Sequence, residues 1–153
     1  MKKILMLLFL LAGTHFLHAE GLEWNTNLEK AMEISKATNK PLMLFFTGSD
    51  WCGWCKRLQA EVFFKPEFAK WAKENVVLLE LDFPRRTQLP QEQQMQNNQL
   101  GQFFGVQGYP TIWFVKATKV DGKINFEKLG NTGYLDGGPP VWLKAADEIL
   151  KNK

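Results

Sequence analysis

Cys52 and Cys55 are the chain's two cysteines, and they stand three apart as Cys52-Gly53-Trp54-Cys55. Thiol–disulfide exchange needs a thiolate that attacks, a second thiol that resolves the mixed disulfide, and access for a substrate. A Cys-x-x-Cys at a helix N-terminus supplies all three. Cys52 would lie where unpaired N–H groups and the helix dipole favour an anion, so its pKa should fall. Cys55, nearly one turn later, would point inward and attack the bond between Cys52 and the substrate. Desolvation disfavours a thiolate, so the Cys55 thiol should titrate higher than an exposed one.

Other uses of the pair fit less well. Many zinc sites begin with Cys-x-x-Cys. Two cysteines without histidine, however, cannot complete a structural zinc site within one chain. Met32, Met43 and Met95 form no local cluster for copper. A bridge across so small a loop is a weak staple. Neither a metal nor any other cofactor is expected.

The histidines decide what other chemistry is open. Both, His15 and His18, fall in an N-terminal segment. There Lys2 and Lys3 precede an apolar run over 4–11, extended to Leu17, and Ala19 offers a small residue for cleavage. Basic, then apolar, then small is the order of a secretory signal peptide. A spanning helix needs ~20 apolar residues, more than this run offers. No cysteine follows for lipid attachment. We therefore expect a signal peptide over 1–19, export to the periplasm, and one domain over 20–153. That domain would contain no histidine, which excludes Ser-His and Cys-His catalysis and histidine metal ligands.

The chain has 153 residues, so removal of nineteen leaves 134. Loss of Lys2 and Lys3 lowers the basic count from 19 to 17 against 16 acids, a charge of about +1. Near-neutral charge gives no reason to expect nucleic acid or anionic membrane as a partner.

The elements that must position the cysteines can be read from pattern. Trp24, Leu28, Ala31, Met32 and Ser35 recur at helical spacing, with cap candidates at 25–27, which predicts a helix over 27–38 ended by Pro41. An unbroken apolar run over 42–46 suits a buried central strand. Residues 47–50 read as a turn. A helix over 51–62 follows, with Cys55, Leu58 and Val62 on one face. Pro66 opens another, carrying Phe68, Trp71 and Ala72. A strand is expected over 76–81, then a loop over 82–90. A helix over 91–104 has Met95, Leu100, Phe103 and Phe104 as inward candidates. Its Gln/Asn-rich stretch reads as a solvated face, and Arg85 and Arg86 as a solvated loop. Strands over 111–115 and 124–129 flank an Asp121-Gly122 hairpin turn. Pro139 and Pro140 open a last helix, with Val141, Ala145 and Ile149 on one face. Early strand–helix alternation demands parallel pairing, and the late hairpin adds antiparallel strands. The expected class is α/β, a central mixed β-sheet flanked by helices on both faces.

At this point the chain resembles the thioredoxin superfamily. Trp51-Cys52-Gly53-Trp54-Cys55-Lys56 is similar to its active-site motif, after a hydrophobic strand and before a helix. Tyr109-Pro110-Thr111 resembles its second signature, in which the proline bond is cis and lies beside the cysteines. Gly133, Gly137 and Gly138 fall near its glycine-bearing loop before the last helix. Within the superfamily the approach Phe46-Thr47-Gly48-Ser49-Asp50-Trp51-Cys52 resembles exported bacterial thioredoxin-like disulfide reductases of the DsbH type, and more distantly the C-terminal domain of DsbD-type reductases. The resemblance implies a thioredoxin fold and reduction of protein disulfides outside the cytoplasm. It also implies electrons drawn from a membrane-bound donor protein.

It implies substrate contact at Tyr109, beside Pro110; Trp51 and Trp54, flanking Cys52, are expected to shape the substrate surface, and Gly53 and Trp54 to tune the stability of the reduced pair. Trp51 and Trp54 have core packing as the alternative, and Tyr109 packing beneath its loop. The family's buried acid before the motif is absent: Phe45 or Phe46 stands there, and Leu78 replaces a nearby lysine. Asp50 and Glu80 are the candidates for proton transfer to and from Cys55. A helix cap and a strand-end solvent contact are their respective alternatives. The chain lacks the large helical insertion of one oxidase type and the dimerisation domain of one isomerase type. This favours reduction. A monomer is expected. An oxidase or isomerase, or a redox-inert binding module on the same scaffold, are the competing readings.

Overall fold

A computed structural model describes residues 21–151, and the expected signal segment lies outside the described residues. β2 (Leu42–Thr47) is buried at every position, as an unbroken apolar run requires of a strand covered on both faces. It pairs in parallel with β3 (Val77–Asp82), which pairs in parallel with the two-residue β1 (Trp24–Asn25). On its other side β2 pairs antiparallel with β4 (Thr111–Val120), which turns back into β5 (Lys123–Thr132). The sheet order is β1-β3-β2-β4-β5.

Alternation along the strands divides the core into two layers. Met43, Phe45 and Leu78 face one side with Ile112 and Phe114. They are covered by α2 (Gly53–Leu58), a π-helical turn over Gln59–Phe63, α3 (Pro66–Asn75) and α5 (Gly138–Leu150). Leu42, Leu44, Phe46, Val77, Leu79 and Leu81 face the other. There α1 (Leu28–Thr38) and α4 (Gln91–Phe103) supply Leu28, Ala31 and Leu100. This is the expected mixed sheet between two helical layers, a thioredoxin fold. The Tyr109–Pro110 peptide is cis.

Local signals place the helix ends. The Asn27 side chain accepts from the Lys30 backbone N–H at 2.9 Å, capping α1, and Asn39 closes it in a left-handed conformation. Pro66 and Pro139 sit in the first turns of α3 and α5, where a missing N–H costs nothing.

Several expectations are corrected. Trp24, counted with the helical spacing ahead of the expected helix, lies in β1, paired with Leu78, and its ring packs on Phe45 at 5.6 Å. The helix after the motif does not stay α to Val62 but widens into the π turn, which buries Val62 and Phe63 side by side. On α4, Leu100 and the following Phe104 point inward, whereas Met95 and Phe103 are exposed. The Gln/Asn stretch is not simply a solvated face. Asn97 is buried and donates to Asp82 O at 2.8 Å, and the Gln96 side chain accepts from Leu28 N at 2.8 Å. On α5 the inward face is Trp142, Ala146 and Leu150, one residue later than the pattern suggested. The reason is that Trp142 is fully buried and its indole N–H donates to Gly133 O at 3.1 Å, which sets the helix's rotation.

Candidate active site

The site forms where β2 and β3 end and β4 begins, the edge at which open α/β sheets place their chemistry. The chain leaves β2 at Thr47, turns through 48–51, and enters α2 with Cys52 as the N-cap. Two backbone bonds to Gly48 O fix the turn, from Trp51 N at 3.2 Å and Cys52 N at 2.8 Å. Cys52 has extended backbone angles, and its Sγ accepts from Cys55 N at 3.1 Å. An N-cap side chain meets the otherwise orphaned N–H groups of the first turn, and negative charge on it is favoured by the helix dipole. The sulfur is thus placed where a thiolate is stabilised.

Cys52 and Cys55 are joined as a disulfide, with Cα atoms 5.3 Å apart. Cys52 is 3% exposed and Cys55 is 0% exposed. The expected inward orientation of Cys55 is present, but the oxidised Cys52 is itself almost covered. Both belong to the core layer that holds Phe45, so strand alternation resolves which phenylalanine faces the pair. Phe45 stands on the cysteine side and Phe46 on the opposite one.

Trp51 is held on several sides. Its indole N–H donates to Phe83 O at 2.8 Å, Tyr109 meets it edge-on at 5.6 Å, and the Arg85 guanidinium lies 3.8 Å from its ring centroid. Gly48 lies against the indole as well. A Cβ built there would fall 2.3 Å from Trp51 Cε2, so no side chain fits beside this ring. Trp51 and Tyr109 are each half-buried and therefore join packing to partial exposure. Burial pushes the Tyr109 phenol up. Trp54 is different: it is 55% exposed, with its ring 5.1 Å from that of Tyr134. Gly53 is exposed, with open space where a side chain would be. The β2–β4 register pairs Phe46 with Thr111, which puts Pro110 at the same sheet edge as the motif. Pro110 O would lie 3.2 Å from a Cβ on Gly133, bringing the 133–137 loop to that edge.

Asp50 does not cap α2, since Cys52 does. Its carboxylate reaches across to the loop after β3 and accepts from Arg85 N at 3.0 Å, Arg86 N at 2.7 Å and Thr87 N at 3.1 Å. These bonds, with that from Arg85 first, hold the Asp50 carboxyl below its ordinary value. Asp82 completes the clamp by accepting from Ser49 N at 2.8 Å and from the Ser49 hydroxyl. Glu80 is partly buried on the Phe45 side of the sheet, registered with Phe45 itself. Burial pushes its carboxyl up, and the Asp82 charge adds to this.

Sequence reasoning missed three parts of this site. Arg85 read as a solvated loop residue, yet it stacks on Trp51. Gly48 read as an ordinary turn glycine, although its position beside a tryptophan-bearing motif was a signal. Tyr134 was not singled out. Its hydroxyl donates to Glu61, which also accepts from Arg57 Nε at 2.7 Å, and the Tyr134 phenol is pushed up to about 12, chiefly by Glu61. The Arg57 guanidinium lies 5.4 Å from the Trp54 ring and 5.1 Å from the Tyr134 ring. Among the described residues no cluster of three or more histidine, cysteine or acidic side chains could hold a metal ion.

A family model for a thioredoxin-like domain matches residues 28–133. The chain belongs to the thioredoxin-like family. It is 35% identical over 141 residues to the disulfide bond reductase DsbH of Chlamydia pneumoniae, a match covering 92% of this chain and 80% of that protein. A solved structure of DsbH oxidoreductase aligns with a TM-score of 0.76 at 32% identity, covering 94% of each chain. The thioredoxin-related protein DsbJ of the same organism is 28% identical over 94 residues, 61% of this chain and 27% of that protein. The oxidised C-terminal domain of DsbD from Neisseria meningitidis shares the fold, at 22% identity and a TM-score of 0.52. Family membership together with the Cys52–Cys55 pair places this thioredoxin-like protein among the thiol–disulfide oxidoreductases. Among the described residues no helix is long and apolar enough to cross a membrane.

Proposed function

We propose that this thioredoxin-like protein is an exported disulfide reductase. The observation that carries the reading is the placing of the pair: Cys52 Sγ caps the helix, and Cys55, fully buried, lies within its first turn. Likeness to a protein named disulfide bond reductase supports the direction. The basic–apolar–small segment over 1–19 supports cleavage and release into the periplasm, leaving the domain over 20–153 to act as a monomer.

In the reduced protein the Cys52 thiolate attacks one sulfur of a substrate disulfide. The bond between the two substrate sulfurs breaks, one leaves as a thiolate and takes a proton, and Cys52 is linked to the other. Cys55, deprotonated, then attacks Cys52 Sγ and releases the second substrate thiol. The substrate gains two electrons, and the protein is left as the Cys52–Cys55 disulfide. A membrane-bound donor protein returns the electrons by the reverse exchange. Trp51, Gly53, Trp54, Tyr109 and Pro110 form the surface on which the substrate chain lies. Asp50 is occupied with three backbone donors, which makes Glu80 the better acceptor for the Cys55 proton. A carboxyl pushed up by burial is closer in pKa to a thiol, and Glu80 is registered with Phe45, which belongs to the core layer that holds the pair.

Two measurements test this. The Cys52–Cys55 potential should lie near ~−270 mV, whereas one near ~−120 mV would make the protein an oxidant. Cys55→Ser should accumulate a mixed disulfide with substrate through Cys52, because the resolving thiol is gone. Adducts on Cys55 in Cys52→Ser, with none in the converse variant, would reverse the assignment.

A further inference from the structure

We propose that Arg85 is a specificity residue, favouring disulfides that carry an acidic side chain beside the reacting cysteine. The inference rests on the reductase reading above.

Arg85 is presented rather than merely exposed. Asp50 accepts from its backbone N–H and from those of the next two residues, so the segment has little freedom. Its guanidinium lies over the Trp51 ring at 3.8 Å. That ring is itself immobilised by Phe83 O, Tyr109 and the absence of a side chain at Gly48. A guanidinium laid on an aromatic face keeps its in-plane N–H fork at the edge, where it matches a carboxylate. Among the described residues no acid pairs with Arg85: the ion pairs join other residues, and the nearby Asp50 carboxylate is held by backbone donors. The fork is therefore unoccupied beside Trp51, which immediately precedes Cys52.

A substrate bonded to Cys52 spans ~3.3–3.6 Å per extended residue, so the proposal requires a side chain one or two positions from its cysteine to meet Arg85. Because the cation is already fixed, little freedom is lost when a carboxylate binds. The site is open to water, so the gain is that of an exposed ion pair. At ~0.2–1 kcal/mol that corresponds to a preference of about 1.4- to fivefold in the rate constant.

The test uses pre-reduced protein, freed of reductant, in stopped-flow reaction with two symmetric peptide disulfides. The peptides have blocked ends and differ only in Glu or Lys next to the cysteine. Each rate is divided by that of dithiothreitol on the same peptide, since the neighbour also alters leaving-thiol reactivity. Wild type should favour the Glu peptide about 1.4- to fivefold, and less in ~1 M salt, where screening acts within ~3 Å. Arg85→Gln should bring the ratio near one, Arg85→Lys should keep part of it, and Arg85→Glu should invert it. An inversion is something a merely structural role could not produce. Equal rates in wild type, or a Glu preference that survives Arg85→Glu, would overturn the proposal while leaving the reductase reading standing. Failure of the reduced wild type to react with either peptide would overturn both.

Discussion

Gly48→Ala is the sharpest probe of how the site is held together. The backbone of Gly48 does not lie in the left-handed region, so alanine meets no left-handed strain there. Its Cβ, however, would fall 2.3, 2.5 and 2.6 Å from three atoms of the Trp51 indole. Carbon atoms rest at ~3.5–4.0 Å, so ring or turn must move by more than ~1 Å. Displacing the ring would break its bond to Phe83 O at 2.8 Å and lift it from Arg85. The lost hydrogen bond is worth ~0.5–1.5 kcal/mol and the exposed cation–π contact ~0.5–1 kcal/mol. Strain from overpacking is itself ~1–3 kcal/mol, and the two costs are alternatives more than addends, since relief of the clash is what breaks the contacts. A loss of about 2–3 kcal/mol is expected. It should be measured by urea unfolding of the oxidised protein, monitored by far-ultraviolet circular dichroism so that Trp51 fluorescence does not bias the midpoint. The decisive arm is a double-mutant cycle with Trp51→Ala, in which Gly48→Ala should cost less than ~0.5 kcal/mol because the atoms it strikes are gone. An equal cost in both backgrounds would refute the reasoning and place the strain elsewhere.

Other outcomes follow from the titrating groups. Glu80 has a raised folded-state pKa, so its contribution is fully present below the unfolded value of ~4.3 and is lost as pH rises through the folded one. Glu80→Gln should therefore gain stability relative to wild type as pH rises from 4 to 8, and parallel stability curves would refute its burial. The same variant should slow resolution of the mixed disulfide if Glu80 takes the Cys55 proton, which single-turnover kinetics would read. Asp50→Asn should loosen the amides of Arg85, Arg86 and Thr87 in hydrogen exchange while the resolution rate stays unchanged. A slowed resolution would return Asp50 to the proton path. Glu61→Gln should bring the Tyr134 phenol down from about 12 toward the ordinary ~10, seen as tyrosinate absorbance in alkaline titration. No change would mean that Glu61 is not its partner.

What the sequence determined by itself is local chemistry and pattern. The Cys-x-x-Cys spacing, the cap at Asn27, the prolines that open α3 and α5 and the Asp121-Gly122 turn each act within a few residues. Such signals survive in a linear reading. The order of strands and helices after β1 came from the same source, because a buried parallel strand must be apolar throughout and a crossover needs a helix. Tertiary structure decided everything that depends on which surfaces meet. Phe45 and Phe46 are identical in type and adjacent, and only the pleat of β2 beneath α2 sends one of them toward the cysteines. Asp50, a natural cap by position, was drawn instead to three backbone N–H groups brought alongside by β2–β3 pairing. Trp142 set the rotation of α5 because a large buried indole needs both a cavity and an acceptor, and Gly133 O lay nine residues away. Arg85 could not be distinguished from a solvated arginine until the fold laid it on Trp51, 34 positions earlier in the chain. Side chains far apart in sequence meet through the packing of whole elements, and no local period records which face a neighbour from another element will occupy.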